Sequence, residues 1–358
     1  MKLAGLFYFR LAGISQKGKG FCQGSRLALK NCAPIDFFRS ALLSALLCTS
    51  PNFVHANSAQ NAGSSVAKGS FRTVSDETGR IVRIPIPVRR VVSLAPSMTE
   101  SIYALGLEDL LVGDTDYCDY PPAAMKKHRV GGATNPSIEE IASLKPDVVL
   151  VTKALNRQET IQQLERLGIA AYATDPHTID EIRSSVRKLA EILGNPTVGE
   201  TLDAELQRTE SALQQRLKNT PATRVLFVVW TEPLISVGQH TFIADAMIHA
   251  GAKSVVESSQ DWPRMSLEEI VRLQPEFLVF ASSHLESASR DMETLAKRPG
   301  WDQLEAVKHR RYAVISDAVN RPAPRLLSAV EDLARQLHPE VFSAKPESSK
   351  SAVATGKD

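Results

Sequence analysis

Aromatic residues placed where strands end can hold a large, flat ligand, and this sequence has three such places. In Asp116-Tyr-Cys-Asp-Tyr-Pro-Pro122 the paired prolines exclude a helix after an apolar run. Trp230-Thr-Glu-Pro233 closes a second apolar run, and Asp261-Trp-Pro263 stands on a polar loop beside a turn proline. A buried Trp or Tyr contributes ~150–250 Å² of contact area, which serves a ligand or a core equally well. Trp262, on the polar loop, reads as a ligand contact. Trp230 fits either role, Tyr120 reads as core, and Trp301, after Pro299-Gly300, reads as structural. Catalytic chemistry has no comparable support. The sequence contains no Gly-x-Ser-x-Gly elbow, no Gly-x-x-x-x-Gly-Lys phosphate loop, no His-Glu-x-x-His and no Gly-x-Gly-x-x-Gly. The histidines from His128 to His338 stand in no metal-ligand spacing and read as surface or capping residues. The expectation is a binding protein, with no enzyme activity, no metal and no resident cofactor.

A second pattern is a pair of glutamates in an internal repeat. Ser137-Ile-Glu-Glu-Ile-Ala-Ser-Leu-Lys-Pro-Asp-Val-Val-Leu-Val151 recurs as Ser266-Leu-Glu-Glu-Ile-Val-Arg-Leu-Gln-Pro-Glu-Phe-Leu-Val-Phe280, offset by 129 residues with six of fifteen positions identical. Each copy reads as a short helix, a proline-marked turn and a buried strand. Ser137 and Ser266 are N-caps, and Glu140 and Glu269 three residues on complete two capping boxes. The apolar runs after Pro146 and Pro275 suit strands covered on both faces, as in a parallel sheet. Glu139 and Glu268 are left over by the caps and are expected to point outward near a positive helix end. The helix dipole alone would account for them at ~0.3–1 kcal/mol each. Symmetric exposed carboxylates would equally suit docking on a dimeric, arginine-bearing partner.

These residues need a frame, and the surrounding elements supply one. Arg89 to Ala95 reads as an opening strand, Ser97 to Glu100 as the capped start of a helix ended by Gly106, and Asp109 to Gly113 as a strand. Gln158 to Leu167 reads as a helix with Gly168 as its C-cap, and Ile169 to Tyr172 as a strand. Phe71 to Pro85 reads as a hairpin closing through Glu77-Thr-Gly79, and Arg224 to Trp230 opens a second lobe. Between the lobes Val198 to Leu217 is a charged amphipathic run that would span ~30 Å as a helix. The expected fold class is α/β, two Rossmann-like lobes with parallel sheets bridged by one long helix. The expected domains are an extension and signal over 1–56, a flexible linker over 57–70, an N-terminal lobe over 71–195, the bridging helix over 196–221, a C-terminal lobe over 222–342 and a disordered tail over 343–358. Such lobes leave a cleft at the carboxyl ends of their strands, and a helical bridge favours a nearly fixed cleft.

The N-terminal residues are expected to direct export. Arg39 precedes the apolar run Ser40 to Cys48, and Val54-His55-Ala56 places small residues at −3 and −1 for cleavage after Ala56. Leu47 is not the small residue that lipid attachment at Cys48 wants, so an anchor there is not expected. Three of the four cysteines leave with this segment and Cys118 stays, which rules out an internal disulfide. The segment also carries seven basic residues against one acid, so the remaining chain has 35 basic and 39 acidic residues. A net charge of −4 gives no reason to bind nucleic acid or anionic lipid.

Arg90-Val-Val-Ser-Leu-Ala-Pro-Ser-Met-Thr-Glu100, Tyr117-Cys-Asp-Tyr-Pro-Pro122, Glu139 to Asp147 and Asn320-Arg-Pro-Ala-Pro-Arg325 together resemble the periplasmic substrate-binding proteins of cobalamin and iron-chelate ABC importers. The resemblance runs from about Phe71 to His338 and is strongest to the vitamin cobalamin-binding branch, through the Tyr-Cys-Asp-Tyr-Pro-Pro segment and the Trp-Pro before the second repeat. It implies a monomeric periplasmic receptor that captures cobalamin, as a transported ligand, and delivers it to a membrane permease dimer with its ATPase. It implies that Tyr117 and Trp262 contact the corrin and that Asp317, Asn320 and Arg321 supply second-lobe contacts. It also implies that Glu139 and Glu268 pair with permease arginines. Two positions where cobalamin binders can carry aromatic residues are Ala133 and Ala318 here, and Trp230 is expected to compensate. Haem receptors of the family offer an axial Tyr or His, a part open to Tyr117, so a haem or ferric-siderophore receptor stands as the alternative.

Overall fold

The computed structural model describes residues 70–282 and 292–343. The expected signal segment with its cleavage after Ala56, Cys48, the linker as far as residue 69 and the tail from residue 344 lie outside the described residues. The first described element is an antiparallel hairpin of β1 (Ser70–Ser75) and β2 (Ile81–Ile86). Asp76 shapes its turn: Oδ1 accepts from the Thr78 and Arg80 backbone N–H groups at 3.0 and 2.9 Å, and Oδ2 pairs with the Arg80 guanidinium.

The first lobe continues through β3 (Val91–Ser93), α1 (Pro96–Ala104), β4 (Leu111–Asp114), β5 (His128–Arg129), α2 (Ile138–Ser143), β6 (Val148–Thr152), α3 (Gln158–Arg166) and β7 (Ala171–Thr174). Its five strands form a parallel sheet in the order β5-β4-β3-β6-β7. Val148 to Val151 are all wholly buried, as a strand covered on both faces requires.

Two helices link the lobes, α4 (Ile179–Ile192) and α5 (Pro196–Leu217). At 1.5 Å per residue the 22 residues of α5 run ~33 Å. The bridging helix read from the sequence is present, and α4 accompanies it. Val186, Leu189 and Ala190 of α4 pack in the first-lobe core, whereas Ile179 and Ile182 join the second-lobe core with Leu206, Leu213 and Leu217 of α5. Polar contacts reinforce this seam. Asp245 Oδ2 accepts from the Ile179 N–H at 2.8 Å, and Arg183 reaches Asp203 and Glu210 of α5 at 2.7 and 3.2 Å.

The second lobe comprises β8 (Thr223–Phe227), β9 (Trp230–Thr231), β10 (Leu234–Ile235), α6 (Phe242–His249), β11 (Ala252–Ser254), α7 (Leu267–Leu273), β12 (Phe277–Ala281), α8 (Glu305–Lys308), β13 (Tyr312–Ile315), α9 (Leu326–Leu337) and α10 (Pro339–Ser343). Its four main strands are parallel in the order β11-β8-β12-β13. Both lobes belong to one compact unit. Among the described residues no helix is long and apolar enough to cross a membrane.

The repeat occupies α2-β6 in one lobe and α7-β12 in the other. Ser137 and Ser266 cap their helices by accepting from the Glu140 and Glu269 N–H groups at 3.2 and 3.1 Å. The reciprocal half of the first capping box is not made. The Ser137 N–H is already bonded to Val130 O, and the Glu140 carboxylate turns to His128 Nε2 at 2.9 Å instead. In both copies the residue before the proline is left-handed, Lys145 at φ 46° and Gln274 at φ 44°.

Three other expectations change. Helix α1 starts at Pro96, whose fixed φ suits the first helical turn, and Ala95 precedes it without a side-chain cap. Glu100 is therefore not a capping residue. Tyr120 is exposed rather than core, with the Arg325 guanidinium 3.9 Å above its ring. Ser70 and Ser343, read as linker and tail, belong to β1 and α10.

Candidate ligand-binding cleft

In each lobe the strand order reverses beside the first strand, between β3 and β6 and between β8 and β12. Ligands of parallel α/β sheets bind outside the carboxyl ends of strands at such points. The chain leaving β3 enters α1, and the chain leaving β8 reaches Trp230 within three residues. Chain direction thus delivers α1 and Trp230 to the places where a ligand would lie.

Glu100 of α1 joins the two walls. It is 4% exposed, and its Oε1 lies 2.6 Å from Arg321 Nη1 and 2.9 Å from Arg325 Nη2, both in the second lobe. Arg325 Nε adds a bond to Oε2 at 2.9 Å. Arg321 Nη2 also meets Asp119 of the first lobe at 2.7 Å, and Asp317 stands 3.8 Å from Arg321 and 3.4 Å from Arg325. Burial alone would lower the Arg325 pKa, but the bonds and charge of Glu100, then Asp317, hold it above its ordinary value.

The loop carrying Tyr117 and Asp119 is fixed from beneath. Arg129 Nη1 donates to Thr115 O at 2.5 Å and to Cys118 O at 3.2 Å, and pairs with Asp114 Oδ1 at 2.6 Å. Asp114 is fully buried and its Oδ2 has no hydrogen-bond partner. Burial raises its carboxyl to about 7 although Arg129 pulls the other way. Burial likewise pushes the Cys118 thiol up to about 11, so this thiol stays protonated and inert. The Tyr117 ring lies beside Gly132, in the loop that the Asn156 amide holds through Ala133 O at 2.8 Å.

The two tryptophans share one backbone patch. Trp230 pairs with Ile235 across β9 and β10, and Ile235 forms a bridge with Arg264, so Trp230 and Arg264 are about two strand spacings, ~10 Å, apart. Ser236 N–H bonds to Pro263 O and Gly238 N–H to Asp261 O, which fixes the Trp262 loop against this strand. Only glycine fits at 238, because a Cβ there would lie 1.9 Å from Gln260 O. Trp230 is part-buried, with Nε1 donating to Glu232 O at 2.7 Å, and Trp262 is 39% exposed. Its neighbour Asp261 acts across the lobes: Lys153 is held above its ordinary pKa chiefly by the bond and charge of Asp175, with Asp261 adding to them.

Among the residues predicted as ligand contacts, the structure therefore brings Asp317 and Arg321 together and sets Tyr117 two residues from the Asp119 that touches Arg321. Asn320 ends the same short turn, its Nδ2 buried without a hydrogen-bond partner. Trp230 and Trp262 form a patch of their own on the second lobe. Ala133 and Ala318 are buried, 1% and 0% exposed, so neither position has room for an aromatic ring. Glu139 and Glu268 are both exposed in the first turns of α2 and α7. Glu100, Asp119, Arg325, Arg129 and Gly238 were not predicted as site residues. The two closely spaced arginines of Arg321-Pro-Ala-Pro-Arg325 were the available signal for the partner of Glu100. A cavity of about 750 Å³ touches the cleft wall at Ser316 and Asp317 and runs along β13 past Tyr312 and Gln336. Another of about 540 Å³, walled by Arg224, Lys253 and Arg264, includes none of the predicted ligand contacts. Among the described residues no group of three or more His, Cys, Asp or Glu is placed to hold a metal ion.

Comparison with known proteins bears on the fold and the family. The periplasmic binding protein family model matches residues 91–318. The chain is 30% identical over 266 residues to the vitamin B12-binding protein of Vibrio cholerae, covering 73% of this chain and 93% of that protein. The crystal structure of the Vibrio cholerae protein, BtuF, superposes with a TM-score of 0.61 at 28% identity over 72% of this chain and 99% of the other. An uncharacterised ABC transporter substrate-binding lipoprotein of Bacillus subtilis, YvrC, is 31% identical over 278 residues, 75% of this chain and 86% of that protein. The periplasmic haem-binding protein RhuT from Roseiflexus superposes with a TM-score of 0.64 at 27% identity, covering 71% and 99% of the two chains.

Proposed function

Since the chain belongs to the periplasmic binding protein family of ABC importers, we propose that it captures a corrinoid, cobalamin or a close relative, between its two lobes and delivers it to a membrane permease. The observation that carries this reading is that the part-buried Trp230 and the 39% exposed Trp262 share one backbone patch just beyond the carboxyl end of β8, the strand beside the second-lobe switch point. The similarity to vitamin B12-binding proteins supports it. Aromatic faces suit the macrocycle, Tyr117, Asp317 and Asn320 would meet its amide rim, and Arg321 would act beside them through the carboxylates it holds, Glu100 and Asp119. The chain works as a monomer in the periplasm and performs no reaction on its ligand. The α4-α5 seam and the Glu100 join hold the lobes from two sides, so capture proceeds with little closure.

Delivery uses the repeat. Glu139 and Glu268 stand at equivalent positions on the two lobes, exposed and one residue before the N–H that each cap serine accepts. Two such carboxylates match a permease dimer that presents the same arginine on each subunit. A haem or ferric-siderophore receptor is the second reading, supported by the likeness to RhuT and by Tyr117. Equilibrium dialysis of the purified protein against cyanocobalamin, haemin and a ferric siderophore tests the choice. Saturable one-to-one binding of the corrinoid is expected, and binding of an iron ligand alone would overturn the corrinoid reading.

A further inference from the structure

Among the described residues three carboxylates surround Arg321, and they are not equivalent. Glu100, at 2.6 Å, is buried and shared with Arg325, so it belongs to the join between the lobes. Asp317, at 3.8 Å, sits on the same turn as Arg321 and is also 3.4 Å from Arg325. Asp119, at 2.7 Å from Nη2, comes from the loop that carries Tyr117, and its side chain is 45% exposed. A guanidinium presents a planar fork that a carboxylate fills. With Nη1 on Glu100, the Nη2 edge is the one a ligand carboxylate would take, and Asp119 already stands there.

An ionised rim group entering this cleft must exchange water for a cation free to pair with it. To reach Arg321 it would have to push Asp119 off Nη2 while that charge stays close by, in a cluster where, among the described residues, three carboxylates already face two guanidiniums. Lys153, just past the carboxyl end of β6, is paired as well, 2.5 Å from Asp175. Resting on the reading of this cleft as the ligand site, we propose that Asp119 is a specificity residue: by filling the Nη2 edge of Arg321 it excludes large ligands whose rims carry carboxylates and admits those whose rims carry neutral amides.

The test compares the full chain with Asp119→Asn, which keeps the side-chain shape and removes the charge. Three probes are titrated: haemin, with two carboxylates, its dimethyl ester, with both masked, and cyanocobalamin, rimmed by amides. Asp119→Asn should strengthen haemin binding about tenfold or more, the scale of one charge-assisted pair made available to the ligand. The ester and cyanocobalamin should change less than about threefold, since neither carries a carboxylate that the Asp119 charge would repel. Asp119→Glu, which restores the charge, should return haemin to the wild-type value. Haemin affinity that does not rise in Asp119→Asn, an ester gain equal to the haemin gain, or wild-type haemin binding as tight as the variant's would each overturn the proposal. The cyanocobalamin arm separates the two claims. A wild-type protein that ignores cyanocobalamin removes the corrinoid reading, while a haemin gain confined to the charge-removing variant would still establish Asp119.

Discussion

Arg325 grips Glu100 as a fork across the two lobes, Nε to Oε2 and Nη2 to Oε1, both at 2.9 Å, although the residues are 225 positions apart in sequence. Arg321 adds a third bond to the same carboxylate at 2.6 Å. One buried side chain thus does for the cleft side of the molecule what α4 and α5 do for the opposite seam. It also explains why α1 has a glutamate on its buried face, where an unpaired charge would be costly.

Removing that charge leaves two guanidiniums short of a partner. Glu100→Gln should lower unfolding stability by ~3 kcal/mol or more, the range for breaking a buried ion pair from one side. Urea unfolding measures it. A loss below ~1 kcal/mol would mean that the lobes are held without Glu100.

Gly238 is the steric condition for the Trp262 loop. In Gly238→Ala the new methyl would meet the Gln260 carbonyl oxygen at 1.9 Å, backbone that cannot swing aside as a flexible side chain can. The strand carrying Ser236 and the loop carrying Trp262 must separate. The expected result is a stability loss of ~1–3 kcal/mol, the usual scale of overpacking, together with weaker ligand binding. Thermal unfolding with a parallel ligand titration checks both, and an unaltered variant would contradict the close approach.

Asp114 gives the protein a pH signature of definite sign. Its carboxyl titrates near 7 in the folded state and at roughly 3.9 when unfolded. Between those values the folded chain holds the extra proton, so this group makes stability fall as pH rises, by up to ~1.4 kcal/mol per pH unit, and leaves it flat outside the window. Arg129 and Lys127 lower the value and Asp116 raises it, all of them less than burial does. Asp114→Asn should therefore reduce the difference in Tm between pH 5 and pH 7.5. An unchanged difference would show that Asp114 is ionised throughout.

Much of this frame was legible in the sequence. The repeat announced one helix-turn-strand unit per lobe because capping serines, turn prolines and unbroken apolar runs are local signals, and they lie where α2-β6 and α7-β12 form. The candidate site was legible only in part. Trp262 stood out because an aromatic residue on a polar loop has few local explanations. Glu100 was misread because a Ser three residues before a Glu resembles a capping box, whereas Pro96 starts the helix one position earlier and frees the glutamate for partners more than 200 residues away. Tyr120 was misread as core for a similar reason, since no local pattern reveals that Arg325 will cover it. Pairings of this kind follow from how two lobes meet, and periodicity carries no trace of that.

The two repeat glutamates make a prediction about delivery alone. Glu139→Ala combined with Glu268→Ala should leave ligand affinity intact and abolish stimulation of the partner ATPase in reconstituted vesicles. Weakened ligand binding with normal stimulation would remove the docking role. The exposure of both side chains makes a stability loss above ~0.5 kcal/mol unexpected.

The most direct measurement is calorimetric titration of cyanocobalamin into the wild-type protein and into Trp262→Ala. Capture in the cleft predicts one-to-one binding at submicromolar affinity for the wild type, and a loss of ~2 kcal/mol, roughly thirtyfold, when the central aromatic is removed. No corrinoid heat with the wild type, or an identical dissociation constant for the variant, would contradict the account.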